Sequence, residues 1–232
     1  MTPGLTKSDP APTDPAATEA PQRRAVAKRT RGSTRTAMLV SAAELLREHG
    51  AAGVTVDAVL ARSGCPRGSV YHHFPEGRGQ ILREALQFAG AEITAIIEQF
   101  PGGDGTALLR QFVGLWRDAL VASDYTAGSP VLAAAVGSGP DEQQLTSVAA
   151  DIFRRWRVAA MHAFLRQGFG RADATALAHT TIAALEGSVA LCRSMRSLEP
   201  LDDVAEQMEF LIKARDFVTR SGGGARSGGD AS

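Results

Sequence analysis

Cysteine is nearly missing from this chain of 232 residues: Cys65 and Cys192 stand in unrelated contexts and form no metal-spaced pair. A disulfide framework or a zinc site is therefore not expected, and a reducing cytosol fits. Lysine is almost as scarce, confined to Lys7, Lys28 and Lys213 while arginine is plentiful. That bias points to a GC-rich genome rather than to a mechanism. No Gly-rich phosphate loop, nucleophile elbow, HExxH pair or Cys/His cluster occurs, so the familiar signatures of enzymes and metal centres are lacking and no cofactor is expected. A hydrolase built from His162, His179 and Glu186 lacks an evident nucleophile. The opening stretch MTPGLTKSDPAPTDPAATEAPQ has no apolar core, unlike a secretory signal or a membrane span. Nor does any alternating strand pattern compete with helical periods.

What is present is enough apolar material, 44% of residues, for a buried core. The formal net charge is zero, yet the charge is unevenly spread. Between Arg23 and Arg83 eleven basic side chains face four acidic ones, so the remainder of the chain is acidic. Arg23, Arg24, Lys28, Arg29, Arg31 and Arg35 precede the first long helix with no acid among them. Such an arm is suited to tracking phosphates.

The segment TVDAVLARSGCPRGSVYHHF, from Thr55 to Phe74, reads as two short helices joined by a tight turn. Thr55 can cap the first helix, Val56, Val59 and Leu60 give it one apolar face, and Gly64 stops it. Cys65-Pro66 restarts the chain, with Val70 and Phe74 on the buried side of the second helix. The other side carries Arg67, Ser69, Tyr71 and His72, side chains able to donate to base edges and phosphates from a helix in the major groove. An ordinary helical hairpin facing water has the same pattern; the basic arm and Arg78 downstream favour the DNA-binding reading. His72 and His73 diverge as neighbours on a helix, so they make no metal site.

The spacing predicts an all-α chain in four parts: a disordered tail over 1–27, a three-helix helix-turn-helix domain over 28–80, a helical bundle over 81–220 and a flexible Gly/Ser tail over 221–232. Expected helices run from Thr34 to His49, through the hairpin, from Gly77 to the break at Pro101, from Thr106 to Val121, over PVLAAAV opened by Pro130, from Asp141 to Gly168, from Ala172 to Met195 and from Leu201 to Val218.

From MLVSAAELLREHG through the start of the long helix after Arg78, the chain resembles the DNA-binding domain of TetR-family transcriptional regulators. PRGSVYHHFPEGRGQI, GSPVLAAAV and ALEGSVALCRSMRSLEPLDDV are similar to the LmrA/YxaF-like subgroup in particular. The chain departs from that subgroup at Ser129, where Cys is frequent, and at Gly79, where a helix-favouring residue is usual. The resemblance implies base reading by Arg67, Gly68 and Ser69, with Gly68 letting the backbone approach closely. Tyr71 and His72 match positions that meet phosphates or thymine methyls, and Thr55 and Arg78 match phosphate contacts at helix starts. Arg31 belongs to the arm. His73 matches either a phosphate contact or packing beneath the turn, and Val70 and Phe74 match core positions.

The same resemblance implies a homodimer on a pseudo-palindromic DNA operator, formed mainly through the last two helices, with a cavity in each body for a lipophilic small-molecule effector. A cytoplasmic, nucleoid-associated repressor without a membrane segment is the expectation; a constitutive DNA binder without effector, or an activator, is the alternative. Residues that can line the cavity are Phe88, Phe112, Trp116, Phe153, Trp156, His162, His179 and Glu186, although aromatics at helical spacing also fill plain cores. His179 and Glu186 lie two turns apart on one face of an otherwise apolar helix. They can orient a polar group of a ligand or bond across a dimer, and Glu186 can instead pair with Arg193.

Overall fold

The structure is a computed structural model that describes residues 31–98, 104–137 and 142–223. The expected tails fall outside these, apart from the end of the last helix; so do Arg23, Arg24, Lys28 and Arg29 of the arm and the side chain of Arg31. Among the described residues there are nine helices and no strand: α1 Arg31–Gly53, α2 Val56–Ser63, α3 Gly68–His73, α4 Arg78–Glu98, α5 Gly105–Ala122, α6 Pro130–Val136, α7 Glu142–Arg166, α8 Arg171–Met195 and α9 Glu199–Gly223.

Local chemistry sets most helix ends. Thr55 Oγ1 accepts from the Ala58 amide at 3.1 Å, Asp104 from Ala107 at 2.9 Å and Ser129 from Leu132 at 3.1 Å, and each thereby satisfies a donor that a helix start leaves open. Pro130 follows its cap in the first turn, where its missing N–H costs nothing. Gly50 breaks the helical path of α1 near its end. Gly64 caps α2 with φ at 63°, the left-handed conformation that a side chain disfavours, and so turns the chain towards α3.

Helices α1, α2 and α3 pack with the start of α4 as a small head around Met38, Leu46, Val59, Val70 and Phe74, all essentially inaccessible. The same apolar core continues along α4 into the body, through Leu86, Leu108, Trp156, Phe164 and Leu177. Since α4 begins at Arg78, the expected division at 80/81 falls inside its first turns and the two units share a helix. Helix α7 lies close against α4 at Gly90, where an added Cβ would sit 2.6 Å from Ile152. There Trp156 Nε1 donates to Thr94 Oγ1 at 3.1 Å, which joins the two helices by a buried polar contact.

Candidate nucleic-acid interface and sensor cavity

In the head, burial of Val70 and Phe74 fixes the rotation of α3, which leaves Arg67, Gly68, Tyr71 and His72 outward and Ser69 half-buried. Tyr71 is 63% exposed, far more than an aromatic ring serving the core. The turn before α3 is closed by Ser69 N donating to Pro66 O at 2.9 Å, so helical geometry starts one step later than Cys65-Pro66 predicts. Arg67 meets Asp57 of α2 at 3.0 Å, with both side chains more than two-thirds exposed. A pair so wet holds the guanidinium weakly and can yield it to a better acceptor. At Gly68 a Cβ would meet nothing within 4 Å, and φ there is not positive. Nothing inside the protein therefore calls for glycine at the front of this helix.

Thr55 stands exposed at the start of α2, its oxygen holding the Ala58 amide while its hydroxyl proton stays available. His72 is exposed and His73 half-buried; their rings meet edge to face with centroids 5.1 Å apart. Arg78 is placed differently from the sequence expectation. Its Nε donates to Val54 O at 2.8 Å and its Nη2 to Ala51 O at 2.7 Å, so the guanidinium assigned to a phosphate is turned onto protein carbonyls. It fastens the first turn of α4 to the bend between α1 and α2. Arg35 adds a second tie: it pairs with Glu84 of α4 and lies over the Phe74 ring at 5.1 Å.

The end of α1 is also where the body touches the head. Gly128 N donates to Arg47 O at 2.9 Å, and Arg193 of α8 donates through Nη2 to Glu48 O. Arg193 also packs beside Gly128, its Nη1 lying 3.4 Å from where a Cβ would be. The next residue, Ser129, gives its hydroxyl to Glu186 inside the body. One short loop thus joins the buried acid to the last turn of α1. Sequence reading named Glu186 but passed over Gly128, Ser129 and Arg193 as a group. Their only local signal was the Ser-Pro helix start.

Four of the expected cavity residues come together. Phe112, Trp116, Trp156 and Glu186 line a small inner space of about 20 Å³ between α4, α5, α7 and α8, with Thr181 beside them. Phe153, His179 and Glu186 line a cleft of about 610 Å³ that opens between α6, α7 and α8. Ile182 and Glu186, one turn apart on α8, border both spaces and separate them. Two expected residues belong to neither: Phe88 packs half-buried against the core, and His162 is exposed on another cleft, between α4 and α7. Glu186 does not pair with Arg193, which is bound to α1.

Glu186 is only 5% exposed, and burial pushes its carboxyl up to about 7 against the opposing hydrogen bond from Ser129. Its Oε2 and the Thr181 hydroxyl have no hydrogen-bond partner among the described residues. Such atoms are rare in folded proteins because each forgoes its water without replacement. No group of His, Cys, Asp or Glu able to hold a metal occurs among the described residues.

Two family models match the chain. Residues 38–85 match "Bacterial regulatory proteins, tetR family", and residues 106–207 match "Transcriptional regulator LmrA/YxaF-like, C-terminal domain". An uncharacterised helix-turn-helix-type transcriptional regulator of Mycobacterium tuberculosis is 39% identical over 182 residues, covering 76% of this chain and 93% of its own. The regulator YxaF of Bacillus subtilis is 24% identical over 188 residues, covering 80% and 98% of the two chains. Among solved structures, a TetR regulatory protein of Rhodobacter sphaeroides superimposes with a TM-score of 0.67 at 19% identity, over 75% of this chain and 96% of that one. With a head built to meet DNA, an all-helical body behind it and a relative this similar along most of its length, the chain belongs to the TetR family of DNA-binding transcriptional regulators, in its LmrA/YxaF-like group.

Proposed function

We propose that this regulator is a cytoplasmic repressor that binds a pseudo-palindromic operator as a homodimer and lets go when a lipophilic molecule enters its body. The observation that carries the sensing role is the direct hold of the body on α1, through Gly128 on Arg47 O and Arg193 on Glu48 O, one residue away from the Ser129 contact with Glu186. A ligand that disturbs Glu186 differs in its fit to two positions of that loop, which is what a change of DNA affinity requires.

Dimerisation is supported by an apolar surface on the last two helices. Leu191 and Met195 of α8 and Phe210, Phe217 and Val218 of α9 are each more than half exposed, an arrangement costly for a lone chain in water. On α8 the small residues Ala176, Thr180, Ala183, Gly187 and Ala190 are exposed at helical spacing and permit a second helix to approach closely. Two heads so joined can address half-sites about one DNA turn, or a multiple of it, apart.

In the head, Arg67, Gly68 and Ser69 read bases while Thr55, Tyr71 and His72 hold the backbone; His73 sits at the edge of that surface, and Arg78 acts by shaping the bend beneath it. DNA selected from a random pool by the purified protein tests this. Gly68→Ala should fold with unchanged or slightly raised stability, alanine being favoured in a helix by up to about 1 kcal/mol. It should nevertheless lose tenfold or more in DNA affinity, because the new methyl projects towards the groove. Arg67→Ala should change which bases are selected, a bidentate base contact being worth about 1–3 kcal/mol. Full DNA binding by Gly68→Ala would remove the close backbone approach, and unchanged Kd values across a broad set of lipophilic compounds would leave a constitutive binder.

A further inference from the structure

Acids elsewhere in the body meet bases at the surface: Glu209 takes Arg110 and Lys213, Asp202 takes Arg117, and Asp173 takes Arg215. Glu186 differs from all of these. It is buried, it lines both cavities, Ser129 supplies its hydrogen bond, and its Oε2 has no donor among the described residues. Trp156 does not supply one, since its N–H is directed to Thr94 Oγ1.

We propose that the cleft between α6, α7 and α8 takes a lipophilic amine, whose ammonium head pairs with Glu186 and whose apolar body lies along Phe153, Leu132 and Ile182. The assignment rests on the reading of the body as a sensor and names what it senses. A hydroxyl can fill the open position on Oε2 but brings no positive charge to the buried carboxylate. An ammonium brings donor and opposite charge together, and that combination gains most where water is excluded. The volume of about 610 Å³ suits a small organic molecule; Ala183 and Gly187 at its edge belong to the small-residue face of α8 offered to the second subunit, so in the proposed dimer the cleft is bounded there by the partner.

The charged groups facing the cleft are Arg154 and Arg157 from α7 and His179 from α8 itself; α6 brings Leu132, and α4 and α5 bring uncharged residues to the inner cavity. Arg154 is occupied by Asp151. These bases disfavour a second positive charge at the far end of the ligand, so a single ammonium with an apolar or acidic tail fits and a dication does not.

Trp116 and Trp156 are the chain's two tryptophans and both line the inner cavity, so their fluorescence reports on Glu186's surroundings. The full chain is titrated with para-butylbenzylamine and with its uncharged counterpart, para-butylbenzyl alcohol, at about pH 6 and about pH 8, where the amine stays protonated. The amine should bind about tenfold or more tightly than the alcohol at the higher pH, and its affinity should rise about tenfold between the two as Glu186 ionises. Glu186→Gln should abolish both differences. His179→Ala should keep both, which separates the acid from a histidine whose protonation would repel the amine with the same sign. Equal affinity for the two compounds in the unmodified protein, a pH-independent preference, or no binding of either overturns the proposal. The same titrations repeated with selected DNA separate site from sensing. Tight amine binding that leaves DNA affinity unchanged keeps the site and removes its sensing role; release of DNA by the alcohol with the amine inert keeps sensing and overturns the amine assignment.

Discussion

Between pH 4.5 and about 7 the native protein holds a proton on Glu186 that the unfolded chain has largely given up, since the folded carboxyl titrates near 7 and the free one near 4.5. The sign follows directly. A raised acid pKa makes the fold most stable below the unfolded value, and that stability falls as pH rises through the window and stays low above 7. The gap corresponds to about 3 kcal/mol as an upper scale. Glu209 acts in the other direction and elsewhere: Arg110 and Lys213 hold it down at about 2, so its contribution is present above 4.5 and is lost only as pH falls further. Urea unfolding from pH 5 to 8 should therefore show stability declining in the unmodified protein and nearly flat in Glu186→Gln. An equal decline in both would place the titrating group elsewhere.

Among the elements, α2 and α3 owe their placement to contacts of different legibility. Thr55, Gly64 and the spacing of Val70 to Phe74 carry their meaning in the residue type, because a cap, a left-handed turn and an apolar face each select a few side chains. The same holds for α6, whose start Pro130 announces. Arg78 could not be read in that way, since it is held to the carbonyls of Ala51 and Val54 and every residue has a carbonyl. The exposed position of His162 is legible: six residues beyond buried Trp156 lies about 120° round a helix, on its outer side. Helix α8 is long and apolar enough to cross a membrane by composition, yet it packs between α7 and α9, and close to half of that stretch is buried. Its composition reflects neighbours on several sides. At Arg78 the two readings part company in a measurable way. With carbonyls as its partners, Arg78→Ala should lower the stability of the head by about 1–3 kcal/mol, on the scale of charged hydrogen bonds, and weaken DNA binding with the salt dependence unchanged. A phosphate contact would instead reduce the salt slope by about one with little loss of stability.

At the scale of the whole molecule the question is how a buried acid can be heard in the head, and the fold offers one compact answer. Head and body share α4 and a continuous core, so a motion of α4 alone has to be carried along a packed helix. The loop at Gly128 is shorter: Glu186 to Ser129 to Gly128 to Arg47 O, with Arg193 bracing the same turn from α8. That route joins residues far apart in the chain, which is why no local pattern announced it. Coupling of this kind is established by a cycle rather than by adjacency. Glu186→Gln should alter DNA affinity in the otherwise unmodified protein, and Arg193→Ala, which frees the last turn of α1 from α8, should shrink that alteration. DNA Kd values for the two single variants, the double variant and the parent give the interaction directly, with about 0.5–2 kcal/mol expected if the loop and its brace transmit the state of the acid. Strict additivity would route the signal through α4 instead, and the clamp on α1 would then be a fastening of the head without a part in sensing.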